Sequence, residues 1–233
     1  MTGVQTCALP ICNLQDNWYS LMAVLTVDTT ADVVDGDTSS IAFLESSKGA
    51  DGFISLREAI IAANNTGGAD EIILPAGMYT LDADGAGENA TATGDLDITE
   101  ELTITGDGAQ TTVIDASGLL VEPDRVFEIL LSAVGESVTI SGVTVQNGSS
   151  DSGGAFNVNG GNSYLILRDA ALLNNVSTSD GGAIFASGRV RLEQVTLEGN
   201  EAVIGGGVWS NDIATLVNLT ISGVNDDPDA VND

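Results

Sequence analysis

Five acidic side chains fall between residues 82 and 97: Asp82, Asp84 and Glu88 in DADGAGEN (82–89), then Asp95 and Asp97 in GDLD (94–97). Carboxylates are hard oxygen donors, and several converging from a glycine-rich loop make a candidate Ca²⁺ site. The same residues also describe a plain solvated acidic loop, and spacing alone leaves both readings open. Carboxylates can also act as general acid and base on a glycosidic bond, often beside a basic residue. The chain's basic residues are Lys48, Arg57, Arg125, Arg168, Arg189 and Arg191, and no strand pattern gathers two or three carboxylates beside any of them. No catalytic residue and no organic cofactor site is therefore assigned.

A second stretch with chemical possibilities is DGFISLREAIIAAN (51–64). Asp51, Gly52 and Glu58 match the second half of an EF-hand loop. Ser47 and Gly49 would then stand where the two leading carboxylates belong, so Ca²⁺ would be held poorly. The same residues fit a helix better. Ser55 followed three residues later by Glu58 is a capping box. Leu56, Ala59, Ile60 and Ala63 recur on one face, with Arg57 and Asn64 off it. A capping helix over about 55–65 is expected to cover the open first coil of the body, with that stripe on the core.

The 233 residues carry 34 Asp and Glu against 6 Lys and Arg, a net charge of −28. Such a field repels nucleic-acid phosphate and anionic lipid, so neither is expected as a partner. Histidine is absent, which excludes Ser-His-Asp triads and most zinc sites. Both cysteines, Cys7 and Cys12, lie at the amino end, so the body has no disulfide framework. Apolar residues make up 43% and aromatics 4%, which points to a core of Val, Leu, Ile and Ala.

That core is organised as a repeat. The segments beginning at Ser137, Tyr164, Arg189 and Ala214 align on Ile140, Leu167, Leu192 and Leu216, which lie 27, 25 and 24 residues apart. Apolar residues alternate within each, cross a bend, and alternate again, giving four stacked columns. They are Val138/Leu165/Val190/Ala214, Ile140/Leu167/Leu192/Leu216, Val143/Ala170/Val195/Leu219 and Val145/Leu172/Leu197/Ile221. A third strand follows each glycine corner (GGAF, GGAI, GGGV), with Phe156, Ile184 and Val208 inward. Three short strands at a period of about 25 residues predict an all-β, right-handed parallel β-helix with one N-terminal amphipathic capping helix. Asn175 and Asn200 fall at equivalent bends, either as an amide ladder or as turn residues. LEQVTLEGN (192–200) also fits a leucine-rich repeat, but its return, EAVIGGGVWSND, is too glycine-rich for a helix. The regular coils should occupy about 125–223, with looser ones in Glu71–Leu81, Gly94–Gly108, Thr111–Gly118 and Arg125–Leu130.

Taken together, GADGFISLREAIIAANNT (49–66), ILPAGMYTL (73–81), TGDLDITEELTITGDGAQTTVID (93–115) and the glycine-cornered coils resemble bacterial CSLREA-domain, pectin-lyase-like proteins. Ile54 stands at the namesake cysteine, so thiol chemistry is not implied there. The resemblance implies a secreted or cell-surface β-helix, often followed by Ig-like repeats. Met1–Ile11 resembles a translated sequencing adapter, which would make the chain a metagenomic fragment whose export signal is lost. Residues 12–223 are then one domain, and 224–233 an acidic linker whose Asn and Asp side chains also suit Ca²⁺. The expected role is a monomeric, non-catalytic, adhesin-like module within a larger chain. It would be structural or would bind polysaccharide or another surface ligand. The alternative is a polysaccharide lyase or glycoside hydrolase.

Overall fold

A computed structural model describes residues 22–226. Met1–Ile11, both cysteines and residues 227–233 of the expected linker lie outside these. The described chain winds into a parallel β-helix of about five turns, with about 28 residues per turn. The mean exceeds the 25 of the regular coils because the early coils carry longer loops.

Every strand pairing is parallel and rung-to-rung. The expected columns stack in register: Val138, Leu165, Val190 and Ala214 are successive partners, as are Ile140, Leu167, Leu192 and Leu216. The third-face column runs Leu96, Phe127, Phe156, Ile184, Val208. Phe127 and Phe156 stack at 5.1 Å between ring centroids. Each regular coil also has a short fourth strand at the corner between its second and third faces, such as Ser149–Ser152 and Val176–Asp180. In the first two coils this corner is built instead from the loops 82–94 and 119–126. The strand Asn225–Asp226 continues the corner column on Glu201–Ala202 and reaches three residues beyond the expected boundary at 223.

The bends are set by residues that tolerate a left-handed backbone. Gly142, Asp169, Gln194 and Asn218 stack at the first bend with φ of 66°, 47°, 57° and 54°. At the third corner the glycines touch: a Cβ on Gly154 would lie 2.6 Å from the carbonyl oxygen of Gly182. No side chain fits there, which accounts for the GG doublets.

Two helices close the amino end. The expected one, α2 (Leu56–Asn64), carries the capping box on Ser55 and Glu58. Leu56, Ala59, Ile60 and Ala63 are all at most 3% exposed, so the stripe does face the core. The Glu58 carboxylate also accepts N–H bonds from Asp35 and Gly36, which commits it to backbone rather than to a metal. A second helix, α1 (Ile41–Ser46), was not foreseen; it is capped by Ser40 and buries Ile41 and Leu44. At the other end the inward columns are bare: Leu216 and Ile221 are 49% and 53% exposed, against 0% for Leu192 and Leu197 one rung earlier.

Asn175 and Asn200 form the amide ladder. Asn175 Nδ2 donates to Asn200 Oδ1 at 3.0 Å and to the Val145 carbonyl at 3.2 Å, while its Oδ1 accepts from Gly148 N. Both residues are fully buried. Asn175→Ala strands the Gly148 N–H and removes the bonds to Asn200 and the Val145 carbonyl, and should lower unfolding free energy by about 2 kcal/mol. Chemical denaturation measures this; a loss of a few tenths would reduce Asn175 to a turn residue.

A buried carboxylate cluster as the candidate functional site

On the third face the strands Leu96–Ile98 and Phe127–Ile129 pair so that Asp97 lies beside Glu128. Leu96, Ile98, Phe127 and Ile129 point into the core, so the alternation sends both acids outward. Outward residues of a solenoid normally meet water. Here the 82–94 loop folds over Asp97, which is 0% exposed, while Glu128, held by Asn157, Asn159 and Arg125, is 6% exposed.

Thr91 is the fold-over contact. Buried and left-handed at φ 59°, it donates its N–H to Asp97 Oδ2 at 2.8 Å. Its hydroxyl donates to the Asp97 carbonyl and accepts the Asp97 N–H. Gly94 is required at φ 62°, where a Cβ would sit 2.1 Å from the Gly85 carbonyl oxygen. Beneath the loop lies Arg57 of α2, itself 0% exposed. Its Nε and Nη2 hold Asp32 at 2.7 and 2.9 Å. Its Nη1 donates to the Thr91 and Asp95 carbonyls, and Nη2 to that of Gly94. Asp32 in turn accepts the N–H groups of Asp82 and Ala83, so one ion pair fastens both ends of the loop.

One carboxylate oxygen from each of Asp95, Asp97 and Glu128 lies within 4.8 Å of the other two. Asp124 is buried alongside, and Arg125 is the one cation among the described residues within ion-pair distance of these carboxylates. Its Nη1 stands 3.5 Å from Asp95 and 3.4 Å from Glu128, and its Nη2 reaches Asp151 at 3.3 Å. Burial, reinforced by the charges of Asp124 and Asp97, pushes Asp95 up to about 8. Burial also pushes Asp97 up to about 7, against the hydrogen bond from Thr91. Asp124 is raised by burial as well. Asp95 Oδ1 and Asp97 Oδ1 are enclosed without a hydrogen-bond partner. By contrast, one Glu128 oxygen accepts from Asn157 and Asn159.

The structure brings together two of the five expected ligands, Asp95 and Asp97. Asp82 and Asp84 are exposed, and Asp84 accepts the Val121 N–H. Glu88 turns back on its own loop, accepting from Ala90, Ala92 and Thr93. The expectation that no strands gather two or three carboxylates beside an arginine is overturned, because Asp95 and Glu128 both meet Arg125, with Asp97 beside them. The missing signal was the alignment of LDI (96–98) on FEI (127–129), an irregular step of 31 residues. The site can bind a hard cation, or share protons among its acids. No family model, no curated protein and no solved structure matches this chain.

The raised acids fix the sign of a pH effect. Their unfolded values are near 3.8, so their stabilising share is complete below about pH 4. It is lost as pH rises through about 7 and 8, where the folded protein must ionise buried groups. With no histidine in the chain, few other side chains titrate in that window. In chelator-containing buffer the melting temperature should fall between pH 5.5 and 8.5, and Asp97→Asn should flatten the decline. A flat or rising wild-type profile would contradict the buried, proton-sharing cluster.

Proposed function

We propose that this β-helix is a non-catalytic, adhesin-like binding module of a larger exported, surface-displayed bacterial protein. The observation that carries the reading is the sealing of the acid cluster. Lyases and glycosidases need their carboxylates against the scissile bond. Asp95, Asp97 and Glu128 are 1%, 0% and 6% exposed, with Asp97 beneath a fastened loop, and are out of reach of a polymer. Export and surface display rest on the resemblance of 49–66 and the coils to CSLREA-domain proteins.

The face best suited to a ligand is the outward side of Tyr164–Leu173 and Arg189–Glu198. Three of the chain's six basic residues, Arg168, Arg189 and Arg191, gather there on adjacent rungs. Arg189 lies 4.6 Å above the Tyr164 ring. Arg168 and Arg191 share Glu193 and keep 42% and 38% of their side chains exposed. A basic and aromatic patch on a rod of charge −28 suits a polysaccharide carrying carboxylates. Such a ligand is repelled elsewhere on the surface, so charge would select where it docks.

A carbohydrate-active enzyme is the second reading. It is favoured by proton-holding acids next to Arg125, which also lines an open cleft of about 420 Å³ with Asp124 and Asp151. Affinity electrophoresis in polyuronate gels, run with an assay for new reducing ends and unsaturated uronate, separates the two. The module reading expects retardation, at least fivefold weaker in Arg168→Ala/Arg191→Ala, and no product. Product formation that disappears in Asp97→Asn would replace it with the enzyme.

A further inference from the structure

We infer that Asp95, Asp97 and Glu128 form a Ca²⁺ site that clasps the 82–94 loop onto the third face of the helix. Four features of the site argue for it. The oxygens are close enough to share one ion. Oxygens on opposite sides of Ca²⁺, each about 2.4 Å away, are about 4.8 Å apart. The three carboxylate oxygens lie within that span of one another.

Asp95 Oδ1 and Asp97 Oδ1 are enclosed and have no hydrogen-bond partner, although their residues are 1% and 0% exposed. Buried carboxylate oxygens are ordinarily paired, and each orphan calls for a positive or donating neighbour. Arg125 Nε and Asn157 Oδ1 beside the cluster are also enclosed without a partner, but the remaining polar contacts around it are filled. Thr91 fills Asp97 Oδ2, Asn157 and Asn159 fill Glu128, and Arg57 is bonded through all three of its nitrogens.

Charge points the same way. Among the described residues Arg125 is the only cation within ion-pair distance of the cluster's carboxylates, at 3.4 and 3.5 Å, and it is also drawn toward Asp151; Arg57 reaches only the Asp95 carbonyl. Asp124 adds a further buried carboxyl. Once its carboxyls give up their protons, one guanidinium does not balance this group, and a divalent ion would.

The donors select the class of ion. They are all carboxylate oxygen, with no histidine in the chain and no cysteine in the described residues, which disfavours zinc and softer metals. Among hard cations, Ca²⁺ accepts the irregular, widely spaced set that two strands and a loop provide. Mg²⁺ demands a tighter, near-octahedral shell. The proposed ion would join the Leu96–Ile98 and Phe127–Ile129 strands directly and the loop through Thr91. Its role is structural, and it does not depend on the binding-module reading.

The full chain is stripped with chelator and titrated with CaCl₂ or MgCl₂ at pH 7.5 in 0.15 M NaCl, following heat and melting temperature. One saturable Ca²⁺ site is expected, with a rise of about 5–10 °C at a hundredfold excess over Kd and a weaker Mg²⁺ response. Asp97→Asn and Glu128→Gln remove charge from a crowded site. Their ion-free forms should melt no lower than wild type, while Ca²⁺ binding weakens at least tenfold. Asp82→Asn/Asp84→Asn should respond like wild type. Should either cluster variant fail to fold, cleavage of the wild type after Asp82, Asp84 or Glu88 by a Glu/Asp-specific serine protease provides the second measure, and Ca²⁺ should slow it. No saturable heat together with no melting shift overturns the site, as does undiminished Ca²⁺ binding in Asp97→Asn or Glu128→Gln. An equal Mg²⁺ response overturns the assignment to Ca²⁺.

Discussion

A coil of this chain has no interior of its own. Three or four short strands enclose too little volume to hide their apolar faces, so each coil is buried only by the next. Parallel pairing in strict register follows, because a shift by one residue would turn Val190 and Leu192 to solvent and Arg189 and Arg191 to the core. The left-handed bends, the touching glycines and the Asn175–Asn200 ladder all repeat at the rung spacing for the same reason. The constraint also explains the ends. Leu216 and Ile221, on the last described rung, are uncovered for this reason, while at the amino end a different element closes the columns.

At the amino end that element is α2, and its apolar stripe answers only half of the need. The edge of a sheet also presents unpaired N–H and C=O groups. Asn64 bonds the Asp97 carbonyl and the Thr99 N–H at the strand edge. Arg57 bonds three further carbonyls. A buried arginine is costly unless its donors are filled, and here Asp32 and the loop carbonyls fill them. Closing the end therefore fastens the loop, and the fastened loop shuts Asp97 away from water. The carboxylate cluster is a by-product of how the solenoid is capped.

This chain of dependence decides what could be read from sequence. The columns were legible because alternation and a near-constant period survive in Ser137–Gly223. The lid was legible because Ser55, Glu58 and the stripe are local signals. Helix α1 was not, since Ser40 with Ile41 and Leu44 is barely a turn and a half. Arg57 lies off the apolar stripe, and its partners come from Asp32 and from Thr91–Asp95, which no local pattern connects to it. Half of the site was visible as GDLD. Glu128 was hidden because the early coils vary in length, so only the pairing itself puts residue 128 beside residue 97. Asp82, Asp84 and Glu88 looked equivalent to Asp95 and Asp97 because sequence gives proximity along the chain and not which side of a loop faces in.

The outward ladder of the third face explains why the cluster has the polarity it does. Read along the solenoid it runs Asp97, Glu128, Asn157, Phe185, Trp209. Stacking favours like beside like, and at the far end Phe185 and Trp209 oblige, lying parallel at 4.6 Å. Two carboxylates at the near end are the unfavourable version of the same rule. The Asn157 amide relieves Glu128 from one side and Arg125 from another. Nothing comparable reaches Asp97 beyond Thr91, and Asp95 has only a long contact to Arg125. Unrelieved negative charge therefore collects at the loop side of the ladder, where Asp95 and Asp97 hold their protons most tightly. A proton or a cation must enter there for the capped end to remain both closed and dry.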